Sequence, residues 1–162
     1  MLRKYMIALA AAIVILDQWT KMYIVKNFNL HEARPVIDGF FDIVYILNPG
    51  AAFGFLGRLP ETYRRVFFIA VTILAIVCVA YLLIKEKGMK LRLFSYTLVL
   101  AGAVGNFIDR LFVGKVVDFL LFYYKTWQWP AFNVADIAIS TGIGLLLLDY
   151  IFIKRSTNEN NA

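Results

Sequence analysis

With 162 residues, 61% of them hydrophobic and 17% charged, and a mean hydropathy of +0.70, the chain is too apolar for a soluble domain of its size. Its formal charge of +6 does not point to nucleic acid, because the lysines and arginines collect at the ends of apolar runs, where membrane topology and lipid headgroups explain them. A single cysteine, Cys78, and a single histidine, His31, exclude an internal disulfide and argue against a Cys/His metal site, so no metal and no cofactor are expected.

The first apolar run, about Tyr5 to Val25, follows Arg3-Lys4 and continues through Asp17-Gln-Trp-Thr-Lys21 without a small-residue cleavage site. It reads as a transmembrane helix and not as a removable signal peptide. Asp17 and Lys21 are spaced i, i+4 with the acid first, the orientation that pairs across one helical turn. Asp17 stands about 18 Å along the helix from Tyr5, beyond the midplane. It can serve as half of a structural pair or as a support for a reaction centre on a neighbouring helix.

The segment from Lys26 to Arg65 breaks the helical pattern. Val36 to Leu47 is rich in β-branched and aromatic residues, which predicts short strands. An open sheet cannot cross hydrocarbon with unpaired backbone groups, so a small strand platform, about residues 35–56, is expected on the membrane surface. Asn48-Pro-Gly-Ala-Ala-Phe53 is a turn signal. Either it simply ends a hairpin, or Asn48 reaches a substrate or a catalytic group. Further spans are expected at about 66–84, 93–112 and 132–153, the third carrying Gly102, Gly105 and Asn106. Between the last two, Val113 to Ala131 reads as a connecting loop with an interfacial belt of Tyr and Trp.

The implied architecture is an integral membrane, mainly α protein: one domain over 1–162, a four-transmembrane-helix bundle with an extracytoplasmic strand platform and an extracytoplasmic loop. Eight of the seventeen Lys and Arg lie in the short segments 1–4, 85–92 and 154–162, against seven in the far longer 26–65 and 113–131. Both termini are therefore expected in the cytoplasm, with the polar cluster at the outer face.

That cluster contains Asp109, Asp118 and Asp136. Short connections make the third and fourth spans neighbours, so Asp118 and Asp136 can converge. Two carboxylates in a partly desolvated site share one proton, which supplies a general base for water and a general acid for a leaving amine. Asp109 precedes Arg110 and reads as a structural ion pair, whereas Asp118 and Asp136 have apolar neighbours in sequence. The residues favour Asp118 with Asp136 as a hydrolytic pair. Two alternatives stay open: that all three acids only hold helices together, and that the chain is a small proton- or ion-coupled transporter.

Asp17-Gln-Trp-Thr-Lys21, Asn48-Pro-Gly-Ala-Ala-Phe53, Gly102-Ala-Val-Gly-Asn106-Phe-Ile-Asp109-Arg110, Gly114-Lys-Val-Val-Asp118-Phe119 and Phe132-Asn133-Val-Ala-Asp136 together resemble the ordered motifs of bacterial lipoprotein signal peptidase, signal peptidase II. The resemblance implies an intramembrane aspartyl endopeptidase that cuts diacylglyceryl-modified prolipoproteins before the lipidated cysteine. It implies Asp118 and Asp136 as the catalytic pair, with Asp17, Lys21, Asn48, Gly102, Asn106, Asp109, Arg110 and Asn133 supporting the dyad or the substrate. A multi-pass monomer of the bacterial cytoplasmic (inner) membrane is expected, in contact with membrane lipids. The platform around Phe40 to Phe55 and the loop around Tyr123 to Trp129 are candidate covers for a cleft, with Gly54, Gly57 and Gly114 as points of motion.

Overall fold

The structure is a computed structural model that describes residues 2–50 and 60–159, with side chains to residue 152. Among the described residues four helices are long and apolar enough to cross a membrane: α1 (Leu2–Asn27), α2 (Glu61–Lys85), α3 (Lys90–Phe112) and α4 (Val134–Glu159), the last over its first nineteen residues. The four-helix expectation holds. The helices outrun the predicted apolar runs because polar turns continue them: Glu61 opens α2 five residues before Val66, with Pro60 capping it from just outside and the acid where it suits a first turn.

Helix α3 is the central post. It packs against α1, α2 and α4, whereas α1 and α2 pack on α3 without packing on each other. No residue of α2 is buried, which leaves its apolar side chains for lipid. The close approach to α3 depends on small residues. A side chain at Gly102 would run into the Ala135 carbonyl and Ile139 of α4, and one at Gly105 into the Asp17 carboxylate of α1.

Above one end of the bundle lies an antiparallel sheet in the order β1 (Ala33–Ile37), β2 (Phe41–Asn48), β3 (Val116–Tyr124) and β4 (Trp127–Gln128). The platform strands match the expectation for residues 35–48. Residues 51–56, and with them Phe53, Gly54 and Phe55, lie outside the described residues, as does Gly57.

The expected loop at 113–131 is corrected. Val116 to Tyr124 is a strand paired with β2, and it turns back into β4 as a hairpin. The physical reason is burial. Most of Val116 to Leu121 is inaccessible, packed with Ile24 of α1 and with Tyr45 and Leu47 of β2, so the segment lacks the alternation that marks a half-exposed strand. Tyr124, Trp127 and Trp129, at the hairpin and its exit, are exposed.

Beyond the hairpin the chain returns to β3. Phe132 accepts from the backbone N–H groups of Phe119 (3.0 Å) and Leu120 (2.9 Å) and donates to the Leu120 carbonyl (3.0 Å). Its ring stacks on Phe122 at 5.9 Å, which in turn stacks on Phe41 at 4.6 Å. The start of α4 is thereby fastened to the strand that carries Asp118.

The close helix contact gives a graded test. Gly102→Ala should cost about 1–3 kcal/mol through overpacking against the α4 backbone, whereas Gly144→Ala, with nothing within 4 Å of the added methyl, should be neutral or slightly stabilising. Thermal unfolding in detergent compares the two.

Candidate active site

The site is built on the N-terminus of α4. Asn133 immediately precedes the helix, and its Oδ1 accepts the Asp136 N–H at 3.0 Å, while Asp136 Oδ2 accepts the Asn133 N–H at 3.2 Å. This is a reciprocal capping box. The sequence expectation began the span at Phe132. The spacing Asn133-Val-Ala-Asp136 is the signal that would have placed the start at Val134. A second orphan donor of this terminus, the Ala135 N–H, goes to Asp17 Oδ1 of α1 at 2.9 Å.

Asn133 also reaches the sheet. Its Nδ2 donates to Asp118 Oδ1 at 2.7 Å, so one asparagine holds the carboxylate of β3 and the carboxylate of α4. The other Asp118 oxygen accepts from Asn48 Nδ2 at 2.9 Å. Strand register explains that contact: Asn48 lies opposite Val116, which puts Asp118, two residues on, on the same face. Asp136 takes its remaining donor from Asn106 Nδ2 of α3 at 2.7 Å.

Each of these amides has its orientation fixed from the other side. Asn48 Oδ1 accepts the Gly50 N–H, Asn133 Oδ1 accepts the Asp136 N–H, and Asn106 Oδ1 accepts the Lys21 ammonium at 3.0 Å. A backbone N–H or an ammonium can only donate, so each Nδ2 must face its carboxylate.

Behind the amides sits a charged group with almost no access to solvent. Lys21, only 3% exposed, contacts Asp17 Oδ2 and Asp109 Oδ2, both at 2.9 Å, as well as Asn106. The i, i+4 pair read from sequence is present, but Lys21 serves a second acid on another helix. Asp109 also accepts the Val117 N–H of β3 at 3.0 Å.

The expected pairing of Asp109 with Arg110 is corrected. Arg110 turns away along the helix, with its nearest hydrogen bond to the Asn106 carbonyl at 3.5 Å and its guanidinium 5.9 Å from the Phe68 ring of α2. Neighbours in sequence on a helix do not face each other, so Lys21 from α1 takes the place given to Arg110. One residue was missed. Gln18 Nε2 lies within 3.0–3.1 Å of Asp17 Oδ2, the Gly105 carbonyl and Asp109 Oδ1, a role that only the neighbouring helix reveals.

The two central carboxylates differ in access. Asp118 is 2% exposed, and burial pushes its carboxyl up to about 7, against the amide of Asn48, with the nearby Asp136 adding to the rise. Asp136 lies on the wall of an open cavity of about 720 Å³, shared with Trp129, Pro130, Ile137, Ser140 and Thr141. Among the described residues no cluster of three or more His, Cys, Asp or Glu has the makings of a metal site, and every buried side-chain polar atom has a partner.

A family model for signal peptidase (SPase) II matches residues 9–152 of the chain. The chain belongs to the signal peptidase II family. A lipoprotein signal peptidase of Syntrophus aciditrophicus is 50% identical over 143 residues, covering 88% of this chain and 89% of that protein. One from Geobacter metallireducens is 45% identical over 160 residues, covering 98% and 97%. A solved bacterial membrane enzyme superposes with a TM-score of 0.80 at 31% identity, covering 96% of this chain and 91% of its own. As a signal peptidase II family member the chain is an aspartic peptidase of the bacterial inner membrane, which removes the transporter alternative.

The corrected ion pairing separates two variants. Lys21→Met, which strands two buried carboxylates, should cost about 3–5 kcal/mol. Arg110→Ala should cost far less, because Asp109 keeps all of its partners. Thermal unfolding of both in the same detergent checks the ordering.

Proposed function

We propose that this signal peptidase II family member cleaves diacylglyceryl-modified prolipoproteins before the lipidated cysteine, with Asp118 and Asp136 as its catalytic dyad. The observation that carries this reading is the shared grip of Asn133 on both carboxylates, which holds them in one hydrogen-bonded unit at an open cavity. The substrate class follows the relatives named lipoprotein signal peptidase.

In the resting dyad one proton is shared. Asp118, buried and raised to about 7, is its natural holder, and Asp136 at the cavity wall is the base. Asp136 takes a proton from water as the water oxygen bonds to the scissile carbonyl carbon, and Asp118 gives its proton to the carbonyl oxygen. The resulting gem-diol collapses as Asp136 gives its proton to the amide nitrogen, Asp118 takes a proton from a gem-diol hydroxyl, and the carbon–nitrogen bond breaks, which restores the shared proton to Asp118. The products are a carboxylic acid on the signal peptide and a free α-amino group on the lipidated cysteine. Asn48, Asn106 and Asn133 hold the carboxylates in place, while Lys21 holds Asn106, Asp17 holds the start of α4, and Asp109 holds Lys21 and β3. Gly102 lets α4 come close to α3. Arg110, half-buried beside Asn106 and outside any salt bridge among the described residues, is the cation this reading assigns to a substrate carbonyl.

The topology reading belongs to this proposal. The sheet, both aspartates and the exposed aromatic hairpin share one end of the bundle, and the densest basic segments share the other, which supports cytoplasmic termini and a site near the outer face. The chain works as a single-domain monomer, and the cavity beside Asp136 admits the substrate from the lipid.

Asp118→Asn and Asp136→Asn should each remain folded in the membrane and lose at least about a thousandfold in turnover, on the scale set by losing a positioned acid or base. Purified enzyme should cleave a diacylglyceryl-modified precursor and spare its unlipidated twin. Normal turnover by either variant, or equal cleavage of the two precursors, sinks the proposal.

The pH profile supplies a further check. Activity should fall on the alkaline side as Asp118 loses its proton near pH 7. Asn48→Ala removes a donor that favours the ionised form, so its alkaline limb should move to higher pH. Profiles of kcat/KM against pH for both proteins read the shift. A limb that stays in place would assign that proton to another group.

A further inference from the structure

At the end of the bundle remote from the aspartates, a cavity of about 370 Å³ opens between helices, lined by Met6, Ile7, Ala10, Leu83, Leu93 and Leu100. It exists because α1 and α2 pack on α3 without packing on each other. Thr97 also borders it, but its hydroxyl is engaged by the Leu93 carbonyl at 2.7 Å. The lining offers water almost no partner, so in a bilayer the wedge takes hydrocarbon.

Its mouth is cationic. Arg3 bridges the gap, donating through Nη2 to the Ile84 carbonyl at 3.0 Å and the Glu86 carbonyl at 3.1 Å. Its Nε and Nη1 groups have no protein acceptor among the described residues. Lys4, Lys85, Lys87 and Lys90 stand at the same end, and none belongs to a salt bridge among the described residues. Among the described residues the acids nearby are already engaged: Glu86 accepts the Gly88 and Met89 N–H groups, and Asp149 holds Arg92 Nε at 2.6 Å. An apolar slot whose mouth carries an arginine and lysines outside any salt bridge among the described residues matches one class of molecule.

We propose that this wedge binds an anionic phospholipid, with an acyl chain between α1 and α2 over α3 and the headgroup phosphate on the open side of Arg3 and its neighbouring lysines. The lipid fills the gap between the two helices that Arg3 bridges at its mouth. The site takes no part in the cleavage reaction, and its test needs no substrate.

Native mass spectrometry of the full chain, released from detergent with equal amounts of phosphatidylglycerol and phosphatidylcholine of the same acyl chains, reads the preference. Wild type should retain phosphatidylglycerol at least about fivefold better, and Arg3→Gln should reduce that preference about fivefold, the equivalent of about 1 kcal/mol for one cation near the headgroup. Ala10→Leu, which fills the slot, should lose both lipids while its activity stays at the wild-type level. If Arg3→Gln does not fold, the double variant Lys85→Gln/Lys87→Gln carries the charge test. Equal retention of the two lipids by wild type overturns the proposal, as does an unchanged preference in the charge variant. Undiminished retention by Ala10→Leu also overturns it, because the headgroup would then be held by surface charge alone.

Discussion

The structure around the aspartates depends on the burial of one ammonium group. Lys21 has three N–H donors and three acceptors, Asp17 on its own helix and Asp109 and Asn106 on α3. Each acceptor passes the constraint on: Asp17 to the Ala135 N–H of α4, Asp109 to the Val117 N–H of β3, and Asn106 to Asp136. A buried charge costs several kcal/mol unless its partners are well placed, so any displacement of α1, α3, α4 or β3 is resisted through this one group. The surplus negative charge of two acids on one lysine is spread over further donors. Both accept from Gln18, and each takes one backbone N–H.

Three asparagines hold the two outer carboxylates, Asn106 linking them to this anchor, and their chemistry is specific to the position. Each must accept on one side and donate on the other within a short, planar side chain. A carboxamide does both at fixed geometry; a carboxylate would lack the donor, and a hydroxyl would leave its hydrogen free to rotate. Because the accepted hydrogens come from a lysine or from backbone, none of the three amides can flip without two unpaired groups in a buried site. The Asp118 and Asp136 carboxylates are therefore presented with donors on them before any ligand arrives.

Much of this was legible along the chain, and the parts that were not have a common cause. The spans followed from apolar run length, and the Asp17–Lys21 pair from spacing on one helix. Asp118 and Asp136 stood out because each is an acid among apolar neighbours. The misreadings concern contacts between elements. Arg110 drew attention beside Asp109 because it is adjacent in sequence, but adjacency on a helix separates side chains by about 100°, and the partner came from α1. Gln18 carries no local signal, because both of its long-range acceptors are on α3. Strand β3 was hidden by its own burial, since a strand covered on both faces reads as another apolar run.

The missed strand changes how the site is understood. Read as a loop, residues 113–131 would leave Asp118 on a mobile connection, with its meeting with Asp136 a matter of chance closure. As a strand it is held by β2 on one side and by the Phe132 backbone on the other, and the residue after Phe132 is the cap of α4. The chain from Asp118 to Asp136 thus runs to the end of β3, turns back through β4, and is pinned to β3 again just before the helix begins. Two carboxylates that repel when both are ionised must be held by something stiffer than either side chain, and a sheet fastened to a helix N-terminus meets that need. The same construction sets their asymmetry, because the strand buries Asp118 between Asn48 and Asn133 while the first turn of α4 leaves Asp136 at the cavity wall. Different access comes from backbone position, with no extra residue required to distinguish the two acids.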